Sequence, residues 1–231
     1  KQLMKKIFLV FLLTLFSFTK VYAASGSGAA TEYTVTMKKV ELCEDSACAT
    51  SHTVATKDMP VDIASASAGT DIGSYAPTTG LTLGKTYTHL RVTISRTFTA
   101  TGTVTAGSTN CATDGGTDMA ATQMLDAGTG TATSSSMYLI NAGSYGAGDG
   151  ARDGDVGSSN IDISYDSPTY ASSMTVSGDT AAMIYALTSP YTVGLKSPTI
   201  RVVFNTSKAL GAEDTACVMW LNEPYCEITI E

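Results

Sequence analysis

A strictly alternating pattern of apolar and polar residues follows the turn at Leu83-Gly84-Lys85. Leu90, Val92 and Ile94 occupy every second position, and the intervening positions are polar or aromatic: Tyr87, His89, Arg91, Thr93 and Ser95. A period of two in a segment rich in β-branched and aromatic residues predicts a half-buried strand. A shift of one residue would place His89 and Arg91 in the core, so this strand fixes the register of its neighbours.

The same pattern recurs between turn-forming residues and predicts an all-β protein. Thr31–Cys43 is a long strand with a β-bulge at Lys38 and Lys39, where the phase changes. His52–Thr56 is a short return strand that ends at a turn through Pro60. Further strands are predicted at Met137–Ile140, Asn160–Tyr165, Ser172–Val176, Ala181–Leu187, Thr199–Asn205, Thr215–Leu221 and Tyr225–Glu231. Roughly ten strands fit one antiparallel Greek-key, Ig-like β-sandwich over residues 24–231, or alternatively two small β domains split near residues 107–160.

Residues 1–23 have the composition of a secretory signal peptide. Lys5 and Lys6 precede an apolar run at Ile7–Phe18, and Val21-Tyr22-Ala23 is a small-residue cleavage signal. The apolar run is too short to cross a bilayer core of about 30 Å. We therefore expect cleavage after Ala23 and a secreted, periplasmic or cell-surface protein without a membrane span.

The charge balance excludes some partners. The formal net charge is −7, and residues 1–23 contain four of the fourteen basic residues and no acidic one, so the mature chain would carry −11. Nucleic acid and anionic lipid are poor partners for such a surface because both require basic patches.

Five cysteines in an exported chain predict disulfides rather than metal or catalytic thiols. Cys43 and Cys48 are spaced to close a turn. Cys217 and Cys226 flank a predicted hairpin and are candidates to pair across it. Cys111, in a predicted loop at Thr105–Gly116, is then either unpaired or paired with one of those two. The chain lacks the paired Cys-x-x-Cys spacing of a structural zinc site.

The segment 143–159 is dominated by glycine and aspartate and predicts a long exposed loop. Asp149, Asp153 and Asp155, with Asp162 or Asp166 nearby, place carboxylates in a pliant backbone, as a calcium site requires. The spacing does not fit an EF-hand, and the segment is not repeated as in calcium β-rolls. The competing interpretation is a solvated loop in which the aspartates form turns.

Hydrolytic chemistry has little support in the sequence. A Ser-His-Asp arrangement needs a histidine held by a carboxylate, whereas His52 and His89 are both expected on strand surfaces. The chain also lacks a Gly-x-Ser-x-Gly turn. Paired carboxylates are inevitable among 21 acidic residues and indicate a glycosidase only where a cleft brings them together. We therefore predict no catalytic residues and no enzyme.

Carbohydrate binding usually requires exposed aromatic side chains. The only tryptophan, Trp220, lies among apolar residues and is expected in a core or edge strand. Four tyrosines near the Gly/Asp segment are candidates for a polar aromatic surface: Tyr138, Tyr145, Tyr165 and Tyr170. Packing between strands is the competing interpretation.

Two short motifs carry a resemblance to a known group of domains. These are Val61-Asp62-Ile63-Ala64 and the segment Leu83–Val92, which reads LGKTYTHLRV. Together with the preceding cysteine-bounded strand, they resemble secreted bacterial β-sandwich domains of unknown function with transthyretin-like (prealbumin-like) topology, over about a third of the mature chain. The resemblance implies a cell-surface or periplasmic module without catalytic residues.

These observations predict a non-enzymatic surface, adhesive or filament protein. Thr31–Leu42 and Tyr225–Glu231 are candidates to complete the sheet of a neighbouring copy by strand addition, and pairing within the same domain is the competing expectation. The expected partners are therefore copies of the same chain or other surface proteins. A calcium- or carbohydrate-binding extracellular module is the alternative function.

Overall fold

The computed structural model describes residues 24–65, 80–118, 127–139, 171–196 and 198–230. Within these ranges the chain forms fourteen strands and no helix: β1 (Ser25–Gly28), β2 (Ala30–Cys43), β3 (Ser51–Asp62), β4 (Thr86–Ala106), β5 (Thr109–Thr113), β6 (Thr117–Asp118), β7 (Ala127–Gly128), β8 (Ser135–Tyr138), β9 (Ser173–Ser177), β10 (Thr180–Thr192), β11 (Ile200–Asn205), β12 (Leu210–Glu213), β13 (Val218–Leu221) and β14 (Tyr225–Ile230). In the described part of the chain there is accordingly no helix with the length and apolarity to cross a membrane.

One sheet is built around β4, which is 21 residues long. Its main order is β3-β2-β4-β10-β9. β2 pairs with one edge of β4. The other edge of β4 pairs, in order along the strand, with β10, β8 and β5. The ladders are antiparallel except for the short β6–β8 pair. The fold is therefore all-β with antiparallel sheets, consistent with a β-sandwich; the Greek-key connectivity and the number of domains stay predictions.

The alternation predicted for β4 is confirmed. Leu90 and Ile94 are buried, whereas His89 and Arg91 lie on the opposite face. Tyr87 differs from the prediction because it is 3 % exposed and packs in the core. The register between β4 and β10 is irregular at this point, since His89 pairs with Ala186 whereas Tyr87 pairs with Tyr191.

Three other local predictions can be compared with the structure. The bulge at Lys38 and Lys39 is confirmed, because the pairing of β2 with both neighbours shifts between Met37 and Lys39. The prediction of a turn through Pro60 is wrong, because β3 continues through that residue to Asp62. A proline is tolerated there because β3 is an edge strand of the sheet. Thr105–Gly116 is likewise not simply a loop, because β5 forms a hairpin with β4.

Two small sheets pack across the main sheet, one with the order β1-β12-β13 and the other formed by β11 and β14. The interior divides into two main clusters. The first cluster contains Ala30, Tyr33, Val35, Ile63, Ile94, Phe98, Ala100, Val104, Ala106, Cys111, Met137, Leu139, Met174, Ala181, Ala209, Leu210, Ala212, Cys217, Met219 and Leu221. The second cluster contains Val40, Leu42, Tyr87, Leu90, Ala171, Tyr185, Leu187, Val193, Cys226 and Ile228.

The glycine-rich strand β1 links the two layers. It forms a ladder with β12, and its two glycines lie directly against the backbone of β4. A Cβ atom on Gly26 or Gly28 would overlap the carbonyl oxygen of Thr105 or Thr103. Only glycine permits this approach, so the two glycines of Ser-Gly-Ser-Gly are required by the packing of β1 on β4.

Two disulfides are formed. Cys43 and Cys48 close the turn between β2 and β3, with their Cα atoms 4.8 Å apart. Cys111 of β5 pairs with Cys217, which precedes β13, at a Cα separation of 5.2 Å. The alternative in which Cys111 pairs with one of the last two cysteines is therefore confirmed, a bridge between Cys217 and Cys226 is wrong, and Cys226 is a buried free thiol. The predicted hairpin does not form, because β13 pairs with β12 whereas β14 pairs with β11.

Candidate functional site

Several of the predicted site residues lie outside the described residues. These are the calcium candidates Asp149, Asp153, Asp155, Asp162 and Asp166 and the tyrosines Tyr145, Tyr165 and Tyr170. Among the described residues, no three His, Cys, Asp or Glu side chains are grouped as a metal site would require.

Tyr138 lies within the described residues, and its ring contacts the side chain of Arg96. Its ring lies 4.5 Å from the guanidinium carbon of Arg96, a cation–π distance. Arg96 is buried and donates hydrogen bonds to the carbonyl oxygens of Leu139 and Gly178. Because β8 and β10 meet on β4 at this position, Arg96 joins the ends of two strands and Tyr138 covers it.

The two histidines lie on opposite faces of the main sheet. His52 is opposite the buried residue Leu42, whereas His89 is opposite Cys43 in the adjacent row. Adjacent rows of a sheet face opposite sides, so these histidines cannot serve one site. The Nδ1 atom of His89 lies 2.8 Å from the Thr88 hydroxyl oxygen.

Trp220 packs between strands. Its ring covers Gly211, the residue directly opposite on β12, where a Cβ atom would overlap the indole. Its Nε1 donates to the side-chain oxygen of Asn222 at 3.0 Å. Asn222 in turn donates to the carbonyl oxygen of Lys208 at 2.9 Å. The indole is therefore held flat on its own sheet, over Gly211.

An ion cluster on the outer face of the main sheet was not predicted. Glu41 of β2 accepts from Arg91 Nε at 2.7 Å and Nη2 at 2.9 Å, and from Lys39 Nζ at 2.8 Å. The Ser51 hydroxyl donates to the same carboxylate at 3.1 Å. Burial alone would raise the pKa of Glu41, but these partners lower it to about 2. The carboxylate is therefore a hydrogen-bonded anchor between β2, β3 and β4.

A second polar group, the interior carboxyl cluster, lies between the layers. It contains Tyr33, Tyr185, Glu223 and Cys226. Glu223 accepts from the Ala171 backbone N–H at 2.7 Å and hydrogen-bonds to the Tyr185 hydroxyl. The Tyr33 hydroxyl donates to the carbonyl oxygen of Asn222 at 3.4 Å.

Burial dominates the electrostatics of the interior carboxyl cluster. It raises the pKa of Glu223 to about 7, and the two hydrogen bonds only partly oppose this. Burial also raises the pKa values of Tyr33, Tyr185 and Cys226, and the negative charge of Glu223 raises each of them further. The phenols and the thiol are consequently neutral near pH 7, which makes Cys226 a poor nucleophile.

This cluster could not be recognised locally in the sequence. Glu223 lies between Asn222 and Pro224, which together indicate an exposed turn. In the structure the segment instead connects the two small sheets, and its carboxyl group points inward to Tyr185.

A third feature is the ribbon formed by β11 and β14. Within the described residues these strands pair only with each other. Ile200, Val202, Phe204 and Ile230 pack against the second cluster. Val203, opposite Glu227, occupies the alternate face and is only partly buried. The loop before β11 contains Leu195, which is 95 % exposed.

Comparison with known proteins gives no match: no family model, no curated protein and no solved structure is similar to this chain. The resemblance to transthyretin-like domains therefore stays a prediction.

Proposed function

We propose that the protein is a non-enzymatic, exported structural or adhesive subunit that self-associates by adding a strand of a second copy to the ribbon of β11 and β14. The observation that carries the proposal is that, among the described strands, β11 and β14 pair only with each other. Two strands alone are marginal in water, and each additional strand adds a ladder of backbone hydrogen bonds. Packing on the second cluster holds the ribbon in place as a template.

The edge strand β3 provides a contrast within the same molecule. It carries Lys57, Asp58 and Pro60 on its outer part. Charged side chains and proline are the usual means by which proteins prevent edge-to-edge association. In β11 the central residues Val202, Val203 and Phe204 are all apolar. The ribbon is therefore the better site for association.

The two predicted donor strands differ in the same way. β2 pairs with β3 on one side and β4 on the other, so its release would dismantle the main sheet. β14 pairs with β11 alone among the described strands. We therefore assign association to β14 and β11 and no longer to Thr31–Leu42.

The disulfides support an oxidising compartment. Bridges such as Cys111–Cys217 persist in secreted and periplasmic proteins and are rare in the cytosol of mesophiles. An exported structural subunit needs no further chemistry from the polar clusters, which are internally satisfied.

The test is size-exclusion chromatography with light scattering on the chain from Ala24, over a wide concentration range, with calcium and with chelator. We expect concentration-dependent oligomers in both buffers. Val203→Lys places a charge on the ribbon and should shift association to higher concentration. Thr53→Lys, on the exposed face of β3, is the matched control and should associate like the native chain.

Two results would contradict the proposal. A chain that stays monomeric at every concentration would show that the protein does not self-associate. Equal association of the two lysine variants would show that the ribbon is not the site of association. A monomer whose Tm falls on chelation would instead support the calcium-binding module.

A further inference from the structure

The first described residue, Ala24, is held at both ends of its backbone by one aspartate. Its N–H donates to Asp214 Oδ1 at 3.0 Å. Its carbonyl oxygen accepts from the Asp214 N–H, also at 3.0 Å. Asp214 lies in the turn between β12 and β13, one residue beyond the ladder between β1 and β12.

The surroundings of this contact are tight. A Cβ atom on Gly107, in the turn between β4 and β5, would lie 2.9 Å from the Ala24 Cβ and 3.1 Å from Asp214 Oδ2. Gly107 has φ of +57°, a conformation that suits glycine. The turns after β4 and β12 thus form a small recess around the Ala24 side chain and the Asp214 carboxylate.

No basic side chain of the described residues forms an ion pair with the carboxylate in this recess. The ion pairs of the described residues involve Glu41, Glu44 and Asp58 but not Asp214. The remaining contact of Asp214 Oδ1 is the neutral hydroxyl of Thr215 at 3.4 Å. A partly buried carboxylate is best satisfied by a cation.

The sequence supplies that cation. Signal peptidase is expected to hydrolyse the bond between Ala23 and Ala24, which consumes one water molecule. The new carboxyl group remains on Ala23, and the new amino group on Ala24. An α-amino group has a pKa of about 7.7–8.0, so most of it is protonated at neutral pH.

We propose that Ala24 is the mature amino terminus and that Asp214 is the acceptor for its ammonium group. Processing then replaces the amide N–H donor by a cationic ammonium group, so the hydrogen bond to the carboxylate becomes an ion pair, which is stronger. The ion pair fixes the start of β1, the strand that links the two layers. Cleavage therefore completes the fold in addition to releasing the protein, and this holds whether or not the protein self-associates.

The first test is to express the chain with its own residues 1–23 in an exporting bacterium and determine the amino terminus by mass spectrometry. We expect Ala24. Asp214→Asn is then introduced into this processed chain and into a refolded chain that begins before Ala23. The variant should lower Tm by about 3 °C more in the processed chain, because only that chain has the ammonium group.

Asp58→Asn is the matched control, since its partner Lys38 is present in both forms. Asp58→Asn should change the Tm of the processed and the unprocessed chain by the same amount. A second readout is the rate at which an amine-acetylating reagent modifies the α-amino group, with Lys85 as internal reference. This rate should be lower in the native processed chain than in Asp214→Asn. An amino terminus elsewhere, or equal effects of Asp214→Asn in both chains together with equal acetylation rates, would overturn the proposal.

Discussion

The first and second clusters lie under successive parts of β4, yet different side chains fill them. The first cluster is rich in alanine, with Ala100, Ala106, Ala209 and Ala212 all fully buried. It also contains a disulfide between the layers, Cys111–Cys217. The second cluster contains two buried tyrosines, Tyr87 and Tyr185, and the free thiol of Cys226. The interior carboxyl cluster adjoins it through Glu223.

The difference shows how side-chain size decides what chemistry an interior can hold. Small residues allow backbones to approach, and a disulfide needs Cα atoms within about 4.4–6.8 Å. The bridge in the first cluster meets this condition at 5.2 Å. Polar groups can be buried at low cost only when they are hydrogen-bonded. Glu223 meets that condition through Ala171 and Tyr185.

Removing the disulfide of the first cluster should have the largest effect. The double variant Cys111→Ser with Cys217→Ser releases a bridge between residues 106 apart. Loop-closure entropy predicts a loss of about 5 kcal/mol in the free energy of unfolding, measured by urea denaturation. The native Cys43–Cys48 bridge closes a much shorter loop, so the double variant Cys43→Ser with Cys48→Ser should lower the free energy of unfolding by only about 2 kcal/mol. Equal losses would show that chain entropy is not the source of the stabilisation.

The second cluster should instead respond to pH. Glu223 has a pKa of about 7 in the folded chain against an ordinary value of 4.5, so the folded chain binds this proton more tightly. Its contribution to stability is therefore complete below pH 4.5 and is lost as the pH rises to about 7. The free energy of unfolding should fall by about 3 kcal/mol over this pH range. Glu223→Gln should remove this decline, as measured by urea denaturation across the range.

Glu41 provides the control, because its pKa shift has the opposite sign. Its stabilisation is present above pH 4.5 and decreases as the pH falls to about 2. Glu41→Gln should therefore flatten only the acid side of the profile. If Glu223→Gln left the decline between pH 4.5 and 7 unchanged, its source would lie elsewhere.

The close backbone approach beside the first cluster should be sensitive to a single methyl group. In Gly28→Ala the new Cβ would overlap the Thr103 carbonyl oxygen and lie 3.2 Å from Val104 Cγ2. Forced shifts of this kind cost about 2 kcal/mol. Gly194→Ala is the matched control, since no atom lies within 4 Å of its Cβ position. A similar Tm loss in both variants would indicate a general glycine effect instead of the contact with β4.

The parts of the fold that could be predicted are those encoded within one strand. The alternation around Leu90 and the bulge at Lys39 depend on neighbours in sequence, and both are confirmed. Tyr87 could not be placed, because its burial depends on pairing with Tyr191, 104 residues away. The local preference of Pro60 indicates a turn, but its pairing with Thr36 of β2 keeps it within β3.

The polar clusters were missed for the same reason. Glu41 and Arg91 are adjacent only because β2 and β4 pair in one particular register. The sequence leaves the partner of Cys111 open between Cys217 and Cys226, and the packing of β5 against the loop before β13 selects Cys217. The sequence thus predicts the strands, whereas long-range register determines which chemical groups meet.

The smallest effect is expected at Cys226. Cys226→Ala deletes one buried sulfur atom from the second cluster and should cost about 1 kcal/mol. The native thiol should react with a disulfide reagent only when the chain unfolds, because it is 2 % exposed and burial raises its pKa. The reaction is followed by absorbance in native buffer and in denaturant. Rapid modification of the folded chain, or a dimer linked through Cys226, would show that the second cluster opens where the first is held by its disulfide.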